Sequence, residues 1–342
     1  MHAPNEPSRA VGLNRQTALR AALGIAISLV AIWILLQSVD VGAAVDVLRT
    51  ASPAAILLMV GTTFVDVGAR GARWRALLGP IRQIPYRRVL GYTYLGYLAN
   101  NVLPARLGEL VRSHALGEGE SISRTTVLGT VVVERIVDTV IVVSLAALAV
   151  VALGVGGVMS AAVVLGAGFV GLLVVGLVLA TLSHRLPGAT RVTAMAERFP
   201  IALELGRRLR DGLQVVGRPR TLVAALVLSA VAWTASIATF IVAAMAIGIE
   251  LTPLQGALLS SGVALATIVP SGPGYLGTFE LTAVGIASQF GIGADPGFAM
   301  ALLAHAMILA VTSVGGAIAA IRLGVGLGTG RADDESEGGI RA

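Results

Sequence analysis

Apolar residues run along this chain in long blocks, and the way polar residues interrupt them separates two kinds of segment. Runs over 21–36, 53–69, 127–153, 161–182, 221–247 and 298–321 approach or exceed the ~20 apolar residues a helix needs to cross a bilayer core about 30 Å thick. Two further segments, 89–116 and 255–289, are apolar but broken near the middle by Pro and neighbouring polar residues.

Arginine fixes the orientation of these runs. Arg70, Arg73, Arg75, Arg82, Arg87 and Arg88 follow the second run, and Arg185, Arg191, Arg198, Arg207, Arg208, Arg210, Arg218 and Arg220 follow the fourth, so both connectors are expected in the cytoplasm. Only two clear runs lie between them, so 89–116 has to enter and leave on one face as a re-entrant hairpin. The same count makes 255–289 a hairpin entering from the opposite face. The expected fold is an all-α polytopic membrane helix bundle of about six spans plus two oppositely oriented re-entrant hairpins. Span, hairpin and span over 53–153 would recur inverted over 221–321. A local likeness accompanies this order: Asn101-Val-Leu-Pro104 with Gly108-Glu109-Leu110 parallels Thr267-Ile-Val-Pro270 with Gly277 and Glu280-Leu281. Interrupted segments at corresponding places of two inverted halves point to a transporter site near the membrane midplane.

Around this single domain, 21–322, the expectations are simpler. Residues 1–20 form a cytoplasmic N-terminal segment; with Arg9, Arg15 and Arg20 ahead of it, the first run reads as a signal peptide or, preferred here, an uncleaved anchor. The connector 183–220 carries Ile201, Leu205, Leu209, Leu213 and Val216 at helical spacing, an interfacial helix or a solvated linker. Residues 323–342 read as a disordered cytoplasmic tail. The location expected is the cell (plasma) membrane.

Composition narrows the function classes. Of 342 residues 56% are hydrophobic and 13% charged, and the mean hydropathy is +0.85, so no polar stretch is long enough to bury a separate soluble core. All 25 basic residues are Arg, and the pI of about 10.6 reflects Arg beside apolar runs, where it meets anionic headgroups; no nucleic-acid partner is expected. With no Cys, thiol chemistry and disulfides are excluded. His-Glu-x-x-His, Gly-x-Ser-x-Gly and phosphate-loop patterns are missing too, so no cofactor, metal or catalytic residue is expected.

The chemistry-bearing residues sit where charge is expensive. Asn100, Asn101, Pro104, Arg106, Glu109 and Arg112 crowd the first broken segment, and such groups in a membrane imply partners or a wetted cavity. Pro104 removes a backbone donor and frees helix ends for a ligand. Arg106 and Arg112 suit a phosphate, because guanidinium is planar and permanently charged; the alternative is that Glu109 merely pairs with Arg112 one turn on. Glu134, Arg135 and Asp138 lie deep in their span. Two carboxylates on one helix face repel unless an Arg from another segment, such as Arg106 or Arg112, comes between them, as a structural lock or as a relay that gates transport. Asp66, Arg70 and Arg73 share a face at the cytoplasmic end of their helix with Trp74 and read as interfacial anchoring. In the second broken segment Ser271, Gly272, Gly274 and Tyr275 form a loop that allows close backbone approach to a ligand, with Glu280 its one charge. His305, alone in the last run, reads as a packing residue.

The run from Gly96 to Arg112, Gly-Tyr-Leu-Ala-Asn-Asn-Val-Leu-Pro-Ala-Arg-Leu-Gly-Glu-Leu-Val-Arg, resembles the hallmark of the lysylphosphatidylglycerol synthase transmembrane-domain family. Arg73-Trp74, Glu134-Arg135-x-x-Asp138 and the loop from Pro270 to Glu280 resemble it as well, so the likeness spans nearly the whole chain. In bifunctional members this region is flippase-like and is fused to an aminoacyl-transferring soluble domain that this sequence lacks; some stand-alone relatives are associated with polyprenyl-linked glycan pathways. The resemblance implies a non-enzymatic lipid translocase acting on phosphate-bearing or other anionic membrane lipids, with a homo-oligomer or a lipid-pathway enzyme as partner. A membrane enzyme or accessory subunit acting on lipid-linked donors, or a small-solute transporter, are the alternatives.

Overall fold

Proline, glycine and short polar side chains set where the helices begin. The computed structural model describes residues 15–103, 107–156, 218–269 and 271–324, with Gly166, Gly168 and Gly171. The expected span at 161–182, the connector up to residue 217, the tail beyond 324, the start of the N-terminal segment, and Pro104, Arg106 and Pro270 therefore lie outside the described residues, apart from those three glycines.

Among the described residues every regular element is helical. Four helices are long and apolar enough to cross a membrane: α3 (Pro53–Leu78), α6 (Arg124–Leu153), α7 (Pro219–Ala246) and α10 (Ala294–Leu323). Pro stands in the first turn of α3, α7 and α8 (Pro253–Ala266), where its missing N–H costs nothing. Ahead of them, α1 (Arg15–Leu36) and α2 (Val41–Arg49) meet at a bend of 84°. Asp40 makes that bend: its carboxylate accepts from Ala43 N at 3.1 Å to cap α2, and its own N–H donates to Asp295 in the first turn of α10 at 2.8 Å. The sequence reading left 37–52 without an element, because nine residues are too few to show in a hydropathy run.

Each broken segment resolves into two helices. α4 (Tyr86–Val102) is followed by α5 (Gly108–Gly119), and α8 by a single 3₁₀ turn, Pro273–Tyr275, and then α9 (Thr278–Ala287). Beside both breaks, side chains accept described backbone donors. Asn100 Oδ1 accepts from Gly108 N at 2.8 Å, Glu280 Oε2 from Gly277 N at 2.7 Å, and Ser28 Oγ of α1 from Gly272 N at 2.8 Å. The two connections also meet: a Cβ added to Gly274 would lie 3.6 Å from the Asn101 carbonyl. Asn101 Nδ2 donates at 2.9 Å to Thr312 and to Ser313, both near the middle of α10.

Packing crosses between the halves. α3 runs along α7, α4 packs on α10, and α8 packs on α6. Small residues permit these approaches, as where Gly316 of α10 faces the Tyr94 carbonyl and Leu98 of α4. Met59, Phe240, Leu258, Phe279, Ile286 and Met300, from five helices, form the largest apolar core. One boundary departs from expectation: the second span does not end at residue 69 but stays helical to Leu78, because Arg70 and Arg73 find carboxylates on a neighbouring helix.

Gly96 tests the first helix pair. A Cβ there would meet Arg112 Cδ at 2.9 Å and the Gly108 carbonyl at 3.1 Å, whereas one on Gly61 meets nothing within 4 Å. Gly96→Ala is expected to cost about 1–3 kcal/mol by overpacking, and Gly61→Ala to stabilise by about 0.5–1 kcal/mol; thermal unfolding in detergent should move the two midpoints in opposite directions.

Candidate functional site

The spacing of Asp66, Arg70 and Arg73 puts all three on one face of α3, and that face meets Glu134, Arg135 and Asp138 of α6. Arg73 is the centre. Its Nη1 and Nη2 donate to the two oxygens of Asp138 at 2.5 and 2.9 Å, Nη2 lies 3.2 Å from Glu134 Oε1, and Nη1 also reaches Ser229 Oγ of α7 at 2.8 Å. Arg70 donates to Asp66 at 2.8 Å and lies 3.6 Å from Asp138, with its guanidinium 4.9 Å over Trp233, whose Nε1 donates to Asp138 at 3.3 Å. Arg112 of α5 donates to Glu134 at 3.1 Å and stacks on Trp74 at 4.5 Å. Arg135 donates to Glu134 at 2.9 Å and stands 3.4 Å from Glu109 and 3.6 Å from Asp138. Among the described residues the cluster thus joins four Arg to four carboxylates.

This network corrects one expectation and resolves two open readings. Asp66, Arg70, Arg73 and Trp74 are not interfacial anchors: Arg73 and Trp74 are wholly buried, because α6 supplies their partners. The cation from another helix between Glu134 and Asp138 is Arg73, with Arg135 of their own helix also reaching both and Arg112 on Glu134 alone; Arg106 lies outside the described residues. Glu109 pairs with Arg135 across to α6 rather than with Arg112 on its own helix.

A cavity of about 290 Å³ opens beside the cluster. Asn100, Asn101, Glu109, Arg112, Arg135, Asp138 and Tyr275, all expected site residues, line it, and Glu134 lies behind them, 1% exposed. Gly274 (φ +64°) backs the cavity at Leu309, while Ser271 and Gly272 pack on Gly24 and Ser28 of α1. Glu280 is committed elsewhere. One oxygen caps α9 at Gly277 and the other meets His305 Nδ1 at 2.6 Å, while the His305 ring stacks on Phe279 at 4.0 Å. His305 itself lines the cavity, as do Asp66, Arg70, Trp233 and Thr312. The i, i+4, i+7 spacing on α3 carried a signal for Asp66 and Arg70; nothing in the sequence marked Trp233 or Thr312.

The arrangement offers a membrane-embedded polar surface whose charges are mutually compensated. Arg135 is 41% exposed at the side chain, against 10% or less for Arg70, Arg73 and Arg112, with its Nε buried beside Glu109, so of the cluster's arginines it has the most accessible side chain. Among the described residues no group of acidic and His side chains is placed to hold a metal.

Removing Arg73 should damage the fold more than the site's accessible rim. Arg73→Ala leaves Asp138 and Glu134 short of their main buried cation, a loss of about 3–5 kcal/mol, whereas Arg49→Ala, in a surface pair with Asp46, should leave the midpoint unchanged. Thermal unfolding in detergent separates the two.

Comparison with known proteins follows the same residues. The sequence matches the family described as lysylphosphatidylglycerol synthase TM region over residues 21–316. It is also similar to the protein named Glycosyltransferase AglD of Haloferax volcanii, 26% identical over 344 residues, covering 90% of this chain. The match covers 55% of that protein, so the chain spans about half the length of this curated relative. With its long apolar helices and a match over most of its length, this multi-pass membrane protein belongs to the lysylphosphatidylglycerol synthase TM region family.

Proposed function

We propose that this chain is a lipid translocase that carries the phosphate-bearing headgroup of a membrane lipid through the cavity while its hydrocarbon chains stay in the bilayer. One observation carries the reading: a charge-compensated cluster lines a cavity inside a membrane domain, and one of its arginines on that wall, Arg135, has a partly exposed side chain. A headgroup crossing hydrocarbon unaided leaves its water behind without replacement; polar walls supply substitute partners and lower that barrier. Arg135 and Arg112 meet the phosphate, and Tyr275 and Thr312 add neutral polar groups to the cavity's lining. Arg106 belongs to the same proposal from its place in the motif.

The inverted repeat is part of this proposal. Two elements support it: each half runs long helix, two short helices, long helix, and each second short helix bears a first-turn glutamate. Those glutamates, Glu109 and Glu280, meet Arg135 and His305, each eleven residues from the start of its long helix. On this reading both helix pairs are re-entrant hairpins, the termini are cytoplasmic and the membrane is the plasma membrane. The relative named a glycosyltransferase motivates a second reading, an enzyme or accessory subunit acting on a lipid-linked donor.

Reconstitution decides between them. Purified chain in vesicles of phosphatidylcholine and labelled phosphatidylglycerol should move label between leaflets faster than protein-free vesicles. Arg135→Ala should slow that movement by about tenfold, the worth of one desolvated charge-assisted contact of ~1.4 kcal/mol, and the recovered lipid should keep its mass. Movement at the protein-free rate for anionic and polyprenyl phosphate lipids alike would sink the translocase, and a change in lipid mass would favour the enzyme.

A further inference from the structure

The charged cluster borders a second recess. Between α5 and α6 lies a groove of about 270 Å³ whose walls are Leu110, Leu128, Val131, Val132 and Ile136. It reaches the surface of the bundle where Leu110 is 54% exposed. Glu109, Arg135 and Thr139 belong to the walls of both recesses, so the Arg135–Glu109 pair, at 3.4 Å, is the partition between an aliphatic groove and the polar cavity.

Two features identify the occupant. The groove's long walls are aliphatic and its volume is at the small end of ligand sites, which suits a stretch of hydrocarbon chain rather than a whole headgroup. Its inner end is a guanidinium, which suits a phosphate. A molecule with an anionic group next to hydrocarbon satisfies both ends, and a phosphate-bearing lipid is one that a membrane supplies. The partition is also built to yield. Among the cluster's carboxylates Glu109 has the most exposed side chain, at 30%, and it sits in the first turn of α5, where the helix N-terminus retains its charge when Arg135 turns elsewhere.

We infer that the α5–α6 groove is the lateral seat of a phosphate-bearing membrane lipid: one hydrocarbon chain lies against Leu110, Leu128, Val132 and Ile136, and the phosphate takes the place of Glu109 on Arg135, at the entrance to the cavity. The inference rests on the translocase reading for its purpose and on the groove alone for its geometry.

Photo-cross-linking tests it without transport. The full chain is placed in phosphatidylcholine vesicles containing phosphatidylglycerol with a diazirine in its acyl chain, and labelled peptides are mapped by mass spectrometry. Label should concentrate on the segments bearing Leu110, Leu128, Val132 and Ile136, and exceed that from a diazirine phosphatidylcholine. Leu128→Trp should cut groove labelling several-fold, while Val151→Trp, on the same helix at an 81% exposed position, leaves it unchanged. Arg135→Gln should lower the preference for the anionic lipid by about fivefold, the worth of one basic residue near an anionic headgroup; where that variant fails to fold, Glu109→Gln should raise the preference by removing the competitor. Label spread evenly over the lipid-facing helices, including the Ile321 face of α10, or equal labelling by the two lipids, overturns the proposal. Translocation measured on the same vesicles keeps the two readings apart: groove labelling without movement between leaflets sinks the translocase and leaves the seat, and movement with even labelling does the reverse.

Discussion

A guanidinium with no solvent exposure, Arg73, holds two carboxylates of another helix inside a membrane domain, and most of the architecture can be traced to satisfying that group. A buried ion without partners costs several kcal/mol, so α3 and α6 have to present their charges to one another at hydrogen-bonding range. α7 comes close enough for Ser229 to take a further donor of Arg73 and for Trp233 to donate to Asp138. α5 delivers Arg112 to Glu134, which would otherwise have only Arg73 and its sequence neighbour Arg135. Stacking on Trp74 and Trp233 lets Arg112 and Arg70 rest on π faces instead of water. Four elements are thus fixed by one electrostatic requirement, and apolar packing of small residues fills the space between them.

The same requirement explains the connections within the two helix pairs. A helix interrupted inside a membrane domain exposes N–H groups that lipid cannot satisfy. Here Asn100, Glu280 and Ser28 accept from Gly108, Gly277 and Gly272, and Asn101 reaches to α10. Asn100 and Glu280 are therefore spent largely on structure, though both looked like ligand groups in the sequence. Of the cluster's arginines, Arg135 keeps the most exposed side chain.

Helices and breaks were legible because they are local. Twenty apolar residues announce a span, and Pro with clustered Asn, Gly and Glu announces an interruption; the observed pairs 86–119 and 253–287 fall where 89–116 and 255–289 were expected. The repulsion of Glu134 and Asp138 on one face correctly demanded an arginine from elsewhere. Which arginine was not legible, since Arg73 is 65 positions from Asp138 and no periodicity links them. Arg70 and Arg73 were misplaced for a related reason: arginine at the end of an apolar run reads as the membrane interface, and only the carboxylates of α6 reveal that the helix continues buried. His305 read as a packing residue because its partner, Glu280, lies on another helix.

The two glutamate–base pairs make the cavity unequal. Glu109 faces Arg135 and Glu280 faces His305 from matching places in the two halves. Guanidinium stays protonated at any physiological pH, whereas imidazole is neutral or charged according to its surroundings. The His305 side is also closed, its side chain 3% exposed and stacked on Phe279, while Arg135 is 41% exposed. Positive charge available to a ligand is therefore concentrated on the α5–α6 side of the cavity, the side on which the aliphatic groove lies. The residue that meets the first-turn glutamate thus differs between α5 and α9 in both chemistry and exposure.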